Sequence, residues 1–440
     1  MATRKQIEQE SKRILKELGA AVEAEQALVV VKAPPGSGKT YLLVESVAAV
    51  LGKKLRVAVA AQTNAQADEI CQRLVGRAKP VPCFRFYSSG GGPAEDARIS
   101  SIVKAQEIPE GPCVVVATTA KWEFSVPSPF DVVFVDEAWQ MPWGRFLGLG
   151  NVASRFVLIG DPGQIPPVVP VDASRWETAP RPPHHAAPSL VLADPALKPV
   201  LLELPVSRRL PHDSAELVNS FYDFRFGAYA AAGERRVELS GKSKDGLDSA
   251  LDQLSAASIS GVTLACPGGN PPLEVDDEIA QLVIETSRRL LARKAVVIEE
   301  DQKVQRALTA QDIGIVASHR VMLARIDEFL PAALRKHIRV DTAERWQGLE
   351  RAVMIAVHPL SGVSEPSAFD LATGRLCVMA SRHRCGLVVV SRDHIGGVLE
   401  EHTPTADQPL GQPDVTGRGH SQHLAFWGAL RERGSVREQS

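Results

Sequence analysis

The feature that most constrains this chain is a glycine-rich stretch at residues 33–40, which reads Ala-Pro-Pro-Gly-Ser-Gly-Lys-Thr. An apolar run at residues 27–31 precedes it, and a helical pattern at residues 41–51 follows it. The order strand, glycine-rich loop, helix is the context in which a phosphate-binding loop works. Backbone N–H groups turn inward around phosphate oxygens there, and the positive end of the helix dipole adds to their field. The stretch therefore predicts a nucleoside triphosphate site.

The individual positions of the loop have separate expected roles. Lys39 would reach the β- and γ-phosphates of ATP, and the Thr40 hydroxyl would hold Mg²⁺. The other loop residues expected to bind the nucleotide are Pro35, Gly36, Ser37 and Gly38. The usual first glycine is replaced by Ala33, at a position that needs little room. A chance glycine turn is the alternative, and the flanking strand and helix argue against it.

Length and composition set the outer bounds. A chain of 440 residues is long enough for two or three domains, each with its own core. The formal net charge of −2 means that local patches would have to hold any nucleic acid. No apolar run approaches the ~20 residues of a membrane span, so we expect no membrane partner. The six cysteines form no CxxC pair, which favours reduced thiols in a cytoplasmic protein.

Two adjacent carboxylates end the apolar strand predicted at residues 130–135. Asp136 is expected to hold Mg²⁺ directly or through water, and Glu137 to orient and deprotonate the attacking water. Adjacent acids at a strand end could instead be solvated or could cap the next helix. Downstream of an intact phosphate loop, the ATPase interpretation is favoured.

Polar residues also follow other predicted strands. Thr63 and Asn64 follow a strand at residues 55–61, and Thr118 follows another at residues 114–116. Polar residues at the carboxyl ends of parallel strands face the ligand crevice of an α/β sheet. Capping of the next helix by Thr63 or Asn64 is the alternative, and both roles are compatible.

A further strand at residues 154–159 ends in a rigid turn, residues 160–167, which reads Gly-Asp-Pro-Gly-Gln-Ile-Pro-Pro. The polar Asp161 and Gln164 of this turn are expected to contact the γ-phosphate and to transmit its state. Taken alone, the segment would pass for an ordinary turn.

The order of these segments resembles that of the superfamily 1 helicases. Residues 136–140 and 160–167 are similar to the second and third motifs of that family, and residues 63–68 resemble the motif that follows the phosphate loop. The likeness is to the 5′-to-3′ branch that contains the nonsense-mediated decay helicase and senataxin.

The second half of the chain continues the resemblance with two arginine motifs. Residues 204–210 resemble the fourth motif, whose arginine corresponds to Arg209, although Ser207 and Arg208 stand where a glutamine and an aromatic are usual. Residues 376–384 resemble the sixth motif, in which Arg382 would be the second arginine finger. Such arginines neutralise charge in the phosphoryl transition state.

Residues 344–350 resemble the fifth motif of the family. The resemblance implies that Gly348 permits close approach, and that Gln347 and Glu350 bridge the nucleotide and the nucleic-acid strand. Thr342 precedes this motif and joins Thr63, Asn64 and Thr118 as an expected contact to nucleic-acid phosphates.

The resemblance spans residues 27–391 and implies an α/β fold with two RecA-like P-loop domains, parallel sheets, and small or reduced accessory insertions. The first domain is expected at residues 1–200, with residues 78–112 as a loop or small insertion. The second, with the arginine fingers, is expected at residues 201–402. A docked or frayed tail would occupy residues 403–440.

The function that this resemblance implies is ATP-dependent helicase or translocase activity. Hydrolysis in the interdomain cleft would drive movement along single-stranded DNA or RNA. The alternative is an ATP-gated nucleic-acid-binding switch or adaptor with little unwinding of its own, and the complete set of catalytic residues argues for turnover. DNA and RNA cannot be distinguished, because contacts to the 2′-OH form no recognisable motif.

A histidine pair, His184 and His185, lies in the proline-rich connection at residues 165–200. It suggests a metal site. With no cysteine nearby and no second His pair at ligand spacing, a solvated loop is the favoured interpretation.

Overall fold

The structure is a computed structural model, and it describes residues 4–88, 96–125, 128–168, 172–266, 275–404, 415–432 and 436–438. The chain divides into two compact units: Met1–Pro162 with Pro166–Pro205, and Gly163–Ile165 with Val206–Ser440. Both are built on parallel sheets with helices, so the predicted α/β fold class is confirmed. Within the described part, no helix has both the length and the apolar character that crossing a membrane would require.

The first unit is built on one parallel sheet of eight strands. The strands are β1 (Leu28–Lys32), β2 (Val57–Ala61), β3 (Cys83–Phe86), β4 (Ile99–Ile102), β5 (Val114–Thr118), β6 (Val132–Val135), β7 (Phe156–Gly160) and β8 (Val200–Glu203). Their order across the sheet is β4-β3-β5-β2-β6-β7-β1-β8. The helices are α1 (Arg4–Glu23), α2 (Lys39–Leu51), α3 (Asn64–Val75), α4 (Thr119–Glu123), α5 (Trp143–Gly148) and α6 (Ala187–Ala193).

Both faces of this sheet are buried, which is why its central strands read as continuous apolar runs. Successive strand residues point to opposite faces, so Val29 and Val31 join one core while Val30 joins the other. The first core includes residues of α1, α2 and α3, and the second is rich in aromatics such as Trp122 and Phe146. The carboxyl ends of the strands, where the predicted site residues lie, are thereby held by two packed layers.

The interval 78–112, expected as a loop or small insertion, contains β3 and β4 instead. These strands extend the sheet beyond β5 in parallel register. Each is only four residues long, and the glycine-rich sequence between them hid the pattern. Most of that glycine-rich segment, residues 89–95, lies outside the described residues.

The second unit contains a parallel sheet of six strands in the order β16-β15-β17-β18-β12-β19, together with two smaller sheets, β11-β13-β14 and β9-β10. Its strands are β9 (Val206–Ser207), β10 (Gly227–Ala228), β11 (Arg235–Glu238), β12 (Ile259–Leu264), β13 (Val296–Glu299), β14 (Val304–Ala307), β15 (Ile313–Ala317), β16 (Arg339–Thr342), β17 (Arg351–Val357), β18 (His383–Arg392) and β19 (Val436–Glu438). Its helices are α7 (His212–Val218), α8 (Gly246–Asp252), α9 (Asp277–Ala292), α10 (Arg320–Phe329), α11 (Ala332–Arg335), α12 (Ala343–Trp346), α13 (Thr373–Ala380), α14 (Ile395–Glu401) and α15 (Val415–Glu432).

The end of the chain is docked onto the second unit. Helix α15 buries Phe426, Trp427 and Leu430 in the same core as α13 and β17. Strand β19 then pairs in parallel with residues 261–263 of β12 and so covers that edge of the sheet. The described parts of the expected tail, α15 and β19, are docked on this unit, and the rest of residues 405–440 lies outside the described residues.

Candidate nucleotide-binding site

The phosphate loop connects β1 to α2 and has the backbone that the glycines predict. Gly36 and Gly38 adopt positive φ angles of 67° and 89°, a region that residues with a side chain rarely enter. Gly38 is the N-cap of α2 and, being a glycine, has no side chain that could cap the N–H groups of the first turn. Because a helix begins with N–H groups that lack intrahelical partners, the first turn of α2 is suited to bind an anion.

The alanine that replaces the usual first glycine of the loop is accommodated by packing. Ala33 is fully buried, and its N–H donates to the carbonyl of Gly160 at 2.9 Å. The methyl group lies within the core on the α1, α2 and α3 face of the sheet. The alanine therefore adds core contact at a position where the strand is still hydrogen-bonded to its neighbour.

Lys39 begins α2 and lies near two carboxylates. Its Nζ is 3.7 Å from Glu137 Oε1 and 3.9 Å from Asp161 Oδ2. These acids come from the carboxyl ends of β6 and β7, which flank each other in the sheet. The structure thus brings together a cation and two acids predicted from separate motifs, and a bound phosphate would compete with the acids for the ammonium group.

Asp136 is a buried carboxylate that lacks a complete set of partners. Its backbone N–H donates to Ala60 at 2.9 Å, but its Oδ1 accepts no hydrogen bond from any described residue. Burial, and then the charge of Glu137, raise the pKa of Asp136 to about 7. A buried anionic oxygen without a donor is costly unless a cation compensates it. Asp136, with the Thr40 hydroxyl at the start of α2, therefore fits Mg²⁺, which prefers oxygen ligands.

Glu137 sits in a strained turn directly after Asp136. Its φ of 48° lies in the left-handed region, which is uncommon for a residue with a side chain. The turn packs against the end of β7, where a Cβ added to Gly160 would lie 2.8 Å from the backbone nitrogen of Ala138. Strain of this kind persists only where the surrounding structure enforces it, and it is enriched at functional sites.

Gln164 belongs to Gly163–Ile165, the short segment that groups with the second unit. Its side chain is buried. A Cβ added to Gly374, near the start of α13, would lie 2.8 Å from the Gln164 carbonyl oxygen and 2.7 Å from Ile165 Cα. Close backbone packing on α13 therefore fixes the position of Gln164 within this unit.

Arg209 and Glu350, predicted from different motifs, form an ion pair in the second unit. Arg209 Nε lies 2.5 Å from Glu350 Oε2. Arg384, which the motif comparison did not single out, lies 3.0 Å from the other oxygen of the same carboxylate and also pairs with Glu299. Burial acts to raise the pKa of Glu350, but Arg209 and Arg384 outweigh it and hold the pKa below its usual value.

Arg382 and its neighbour His383 are both buried. Arg382 is 1% exposed and follows α13, and its backbone carbonyl accepts from Arg351 N at 2.9 Å. His383 contacts Ser214 Oγ through Nε2 at 2.6 Å, and burial lowers the pKa of His383 to about 3. The structure gives Arg382 a fixed backbone at the start of β18, and its role as an arginine finger stays a prediction.

The fifth motif follows α12. Gly348 has a φ of 78°, a region that favours glycine, and a Cβ added there would have no described atom within 4 Å, so the close approach expected at this position stays a prediction. Trp346 anchors the turn, since its Nε1–H donates to the Ile315 carbonyl at 2.9 Å. Gln347 follows as the C-cap of α12. Gly348, with its positive φ, then turns the chain two residues before Glu350.

Two of the residues predicted to contact nucleic acid cap helices in the first unit. Thr63 precedes α3, and its hydroxyl oxygen accepts from Gln66 N at 3.2 Å. Thr118 precedes α4 and accepts in the same way from Lys121 N at 3.2 Å. Capping uses a lone pair of each hydroxyl and leaves its proton, so a second contact to a phosphate is chemically possible.

The other two residues of that set have different surroundings. The Asn64 amide oxygen accepts from Arg85 at 2.8 Å, and Arg85 also pairs with Asp68 at 2.6 Å. Thr342 occupies the N-cap position of α12 without a side-chain capping bond, and it is largely buried. Asn64 therefore has an internal structural role beside the one predicted for it.

Comparison with known proteins gives a family match in the first half of the chain and matches to helicases. Residues 18–170 match the AAA_19 family, described as an AAA domain. The chain is 27% identical over 149 residues to the DNA replication ATP-dependent helicase/nuclease dna2 of Schizosaccharomyces pombe, an alignment that covers 31% of this chain and 10% of that protein. It is 22% identical over 342 residues to the DNA replication ATP-dependent helicase/nuclease DNA2 of Gallus gallus, with coverage of 73% and 30%.

Among solved structures, the arterivirus nonstructural protein 10 (helicase) aligns over 86% of this chain and 63% of that one, at 16% identity and a TM-score of 0.44. The chain spans less than a third of the length of the curated relatives named above. The predicted resemblance is confirmed at the level of superfamily 1 helicases, and the narrower likeness to the 5′-to-3′ branch stays a prediction.

Proposed function

We propose that this chain, a relative of the superfamily 1 helicases, hydrolyses ATP and uses the reaction to move along single-stranded DNA or RNA. The observation that carries the proposal is the grouping of Lys39, Glu137 and Asp161 at the phosphate loop, beside the unpartnered buried oxygen of Asp136. These are the cation, base and metal ligand that phosphoryl transfer to water requires.

The first unit would supply the ground-state contacts and the base. The N–H groups of the phosphate loop and of the first turn of α2 would bind the phosphates, and Lys39 would neutralise their charge. Asp136 and Thr40 would hold Mg²⁺, which supplies charge neutralisation at the β- and γ-phosphates. Glu137 would orient the attacking water and accept its proton.

The second unit would supply arginines to the transition state. Arg209 would neutralise charge on the transferred phosphoryl group, and Arg382 would act in the same way. In the structure Arg209 is paired with Glu350, so its charge is already compensated before nucleotide binds. The pair would therefore have to exchange partners, or share Arg209, during turnover.

Single-stranded nucleic acid would be gripped by hydroxyls, amides and nearby basic side chains. We assign these contacts to Thr63, Asn64, Thr118 and Thr342. Thr63 and Asn64 are exposed in the structure, which supports the assignment for those two. We also infer a reducing, cytoplasmic location, because each of the six cysteines, all in the described part, is a free thiol.

The first test is steady-state ATP hydrolysis with and without single-stranded DNA and single-stranded RNA. Lys39→Ala serves as the blank, since it removes the ammonium group at the phosphate loop. Stimulation by one polymer would support the motor and identify its track. Equal slow turnover under every condition would contradict the motor and favour an ATP-gated switch or adaptor.

A further inference from the structure

The connection between β7 and α6 brings three potential metal ligands together. His184 Nε2 lies 3.1 Å from Glu177 Oε1, and His185 Nε2 lies 3.9 Å from Glu177 Oε2. One ligand atom from each of the three residues falls within 4.8 Å of the others. The sequence favoured a solvated loop here, and the structure adds one observation that the sequence did not offer, a glutamate seven residues before His184 whose carboxylate contacts both histidines.

The segment that carries the histidines is fixed to α5 through its backbone. Trp143 N donates to the His185 carbonyl at 2.8 Å, and Gly144 N donates to the Pro183 carbonyl at 2.9 Å. The His184 side chain is 15% exposed, and those of His185 and Glu177 are each 35% exposed. The three groups are thus held in place in a partly buried site that is still open on one side.

The donor set selects a class of cation. Two imidazole nitrogens and one carboxylate oxygen suit zinc and its neighbours, whereas Mg²⁺ and Ca²⁺ prefer oxygen ligands throughout. Zinc–ligand bonds of about 2.0–2.2 Å in tetrahedral geometry place neighbouring ligand atoms roughly 3.3 Å apart. The two separations given above run to different oxygens of Glu177, and one ligand atom from each residue lies within 4.8 Å of the others. Side-chain rotation would have to draw the three atoms together to reach the tetrahedral spacing.

We propose that Glu177, His184 and His185 form a binding site for one divalent transition-metal ion of the zinc class, with a water molecule in the fourth position. The ion would tie Glu177 to the histidines and so hold residues 177–185 against α5. The site lies wholly in the first unit and is independent of the proposed ATPase, because it uses none of the residues assigned to that function.

The test is metal binding by the full chain after treatment with a chelator. Isothermal titration with Zn²⁺ should give one ion per chain, and Co²⁺ should produce the intense visible absorption of a tetrahedral site. His184→Ala with His185→Ala should abolish both signals. Glu177→Gln, which preserves the side-chain shape, should weaken Zn²⁺ affinity by at least the ~10–100-fold typical of lost outer-shell partners.

Matched controls separate a local site from general effects. His337→Ala removes an exposed histidine of the second unit, and Glu110→Gln neutralises an exposed acid of the first. Both should bind Zn²⁺ like the unaltered chain. Unchanged binding in the double histidine variant would assign the ion to other residues, and no saturable binding by the unaltered chain would mean a hydrogen-bonded cluster only. Either result overturns the proposal, and circular dichroism establishes that each variant is folded.

Discussion

Glu350 and Arg209 form a close ion pair, with Arg209 Nε 2.5 Å from Glu350 Oε2, although 141 positions separate them in the chain. The same carboxylate receives Arg384 at 3.0 Å. One acid therefore fixes two arginines, and the side chain proposed to act on the transition state is already placed by a residue from another motif. The Arg209 side chain is thereby held in one geometry, and it would have to leave or share Glu350 to act on the transition state.

Replacing Arg209 with alanine should lower ATP turnover by on the order of 10³-fold and leave nucleotide binding largely intact. The reason is that an arginine finger acts on charge that develops in the transition state. Single-turnover hydrolysis measures the first quantity, and titration with a fluorescent ATP analogue measures the second. The matched control is Arg208→Ala, because the Arg208 guanidinium stacks on Tyr229 at 4.6 Å. Equal turnover in the two variants would contradict the role of Arg209.

Replacing Glu137 with glutamine should leave ATP bound but slow its hydrolysis by at least ~10²-fold. Glutamine preserves the shape of the side chain and removes its capacity to accept a proton from water. Phosphate release under saturating ATP is the measurement. Glu203→Gln, which neutralises an acid that pairs with Lys32 elsewhere in the first unit, is the control. Near-normal turnover in Glu137→Gln would exclude Glu137 as the base.

The second unit should lose stability as the pH falls from about 6.5 toward 4. His423 is fully buried, neither ring nitrogen bonds to a described residue, and burial lowers the pKa of His423 to about 4. Between the pKa of the unfolded chain, about 6.5, and that of the folded chain, about 4, the His423 ring binds a proton in the unfolded chain only, so acid favours unfolding. Above pH 7 the ring is neutral in both states and this group has no effect on stability. The loss is of the order of 2 kcal/mol at pH 5, where the ordinary pKa is about 6.5.

Urea denaturation at pH 7.5 and pH 5 measures this effect. His423→Leu removes the titrating ring and should reduce the difference between the two free energies of unfolding. His337→Leu, at an exposed histidine, should leave the difference unchanged. An equal pH dependence in the chain with His423→Leu would assign the acid sensitivity to other groups, such as the buried His358, whose ring centre lies 5.5 Å from that of His423.

Replacing Gly374 with alanine should lower both stability and ATP turnover. The added methyl would lie within 2.8 Å of backbone atoms of Gln164 and Ile165, which cannot move as a flexible side chain would. Overpacking of this kind costs about 1–3 kcal/mol. Gly428→Ala is the control, since that helical glycine faces open space and its replacement should be neutral or stabilising by up to about 1 kcal/mol. Thermal unfolding distinguishes the two, and equal midpoints would contradict the prediction.

The sequence was sufficient to predict features that depend on local order along the chain. Lys39, Asp136 and Glu137 each follow a short apolar strand or a glycine turn, so their place at one edge of the sheet was predictable. Their chemistry was inferred from the combination of the two motifs and stays a prediction. The parallel sheets follow from the same alternation of strand and helix patterns. The positive φ of Gly348 was not part of the expectation for that motif, which concerned close approach only.

Features that depend on distant pairs were not predictable in this way. Arg384 meets Glu350 through folding of the second unit, and no spacing rule links them. Glu177 joins the histidine pair because the connection turns back on itself within a few residues. Strand β3 was missed because four residues followed by a glycine-rich segment carry too little periodicity. Its buried Arg85 is stabilised by Asp68 and Asn64 on α3 and by the carbonyl of Phe86.

The last strand, β19, protects an edge of the six-stranded sheet, and α15 covers an aromatic face beside it. A chain cut at residue 403 would expose both surfaces at once. An open strand edge next to uncovered Phe221 and the pocket left by Trp427 would favour edge-to-edge pairing between copies. Self-association, rather than a looser monomer, is thus the expected fate of a shortened protein.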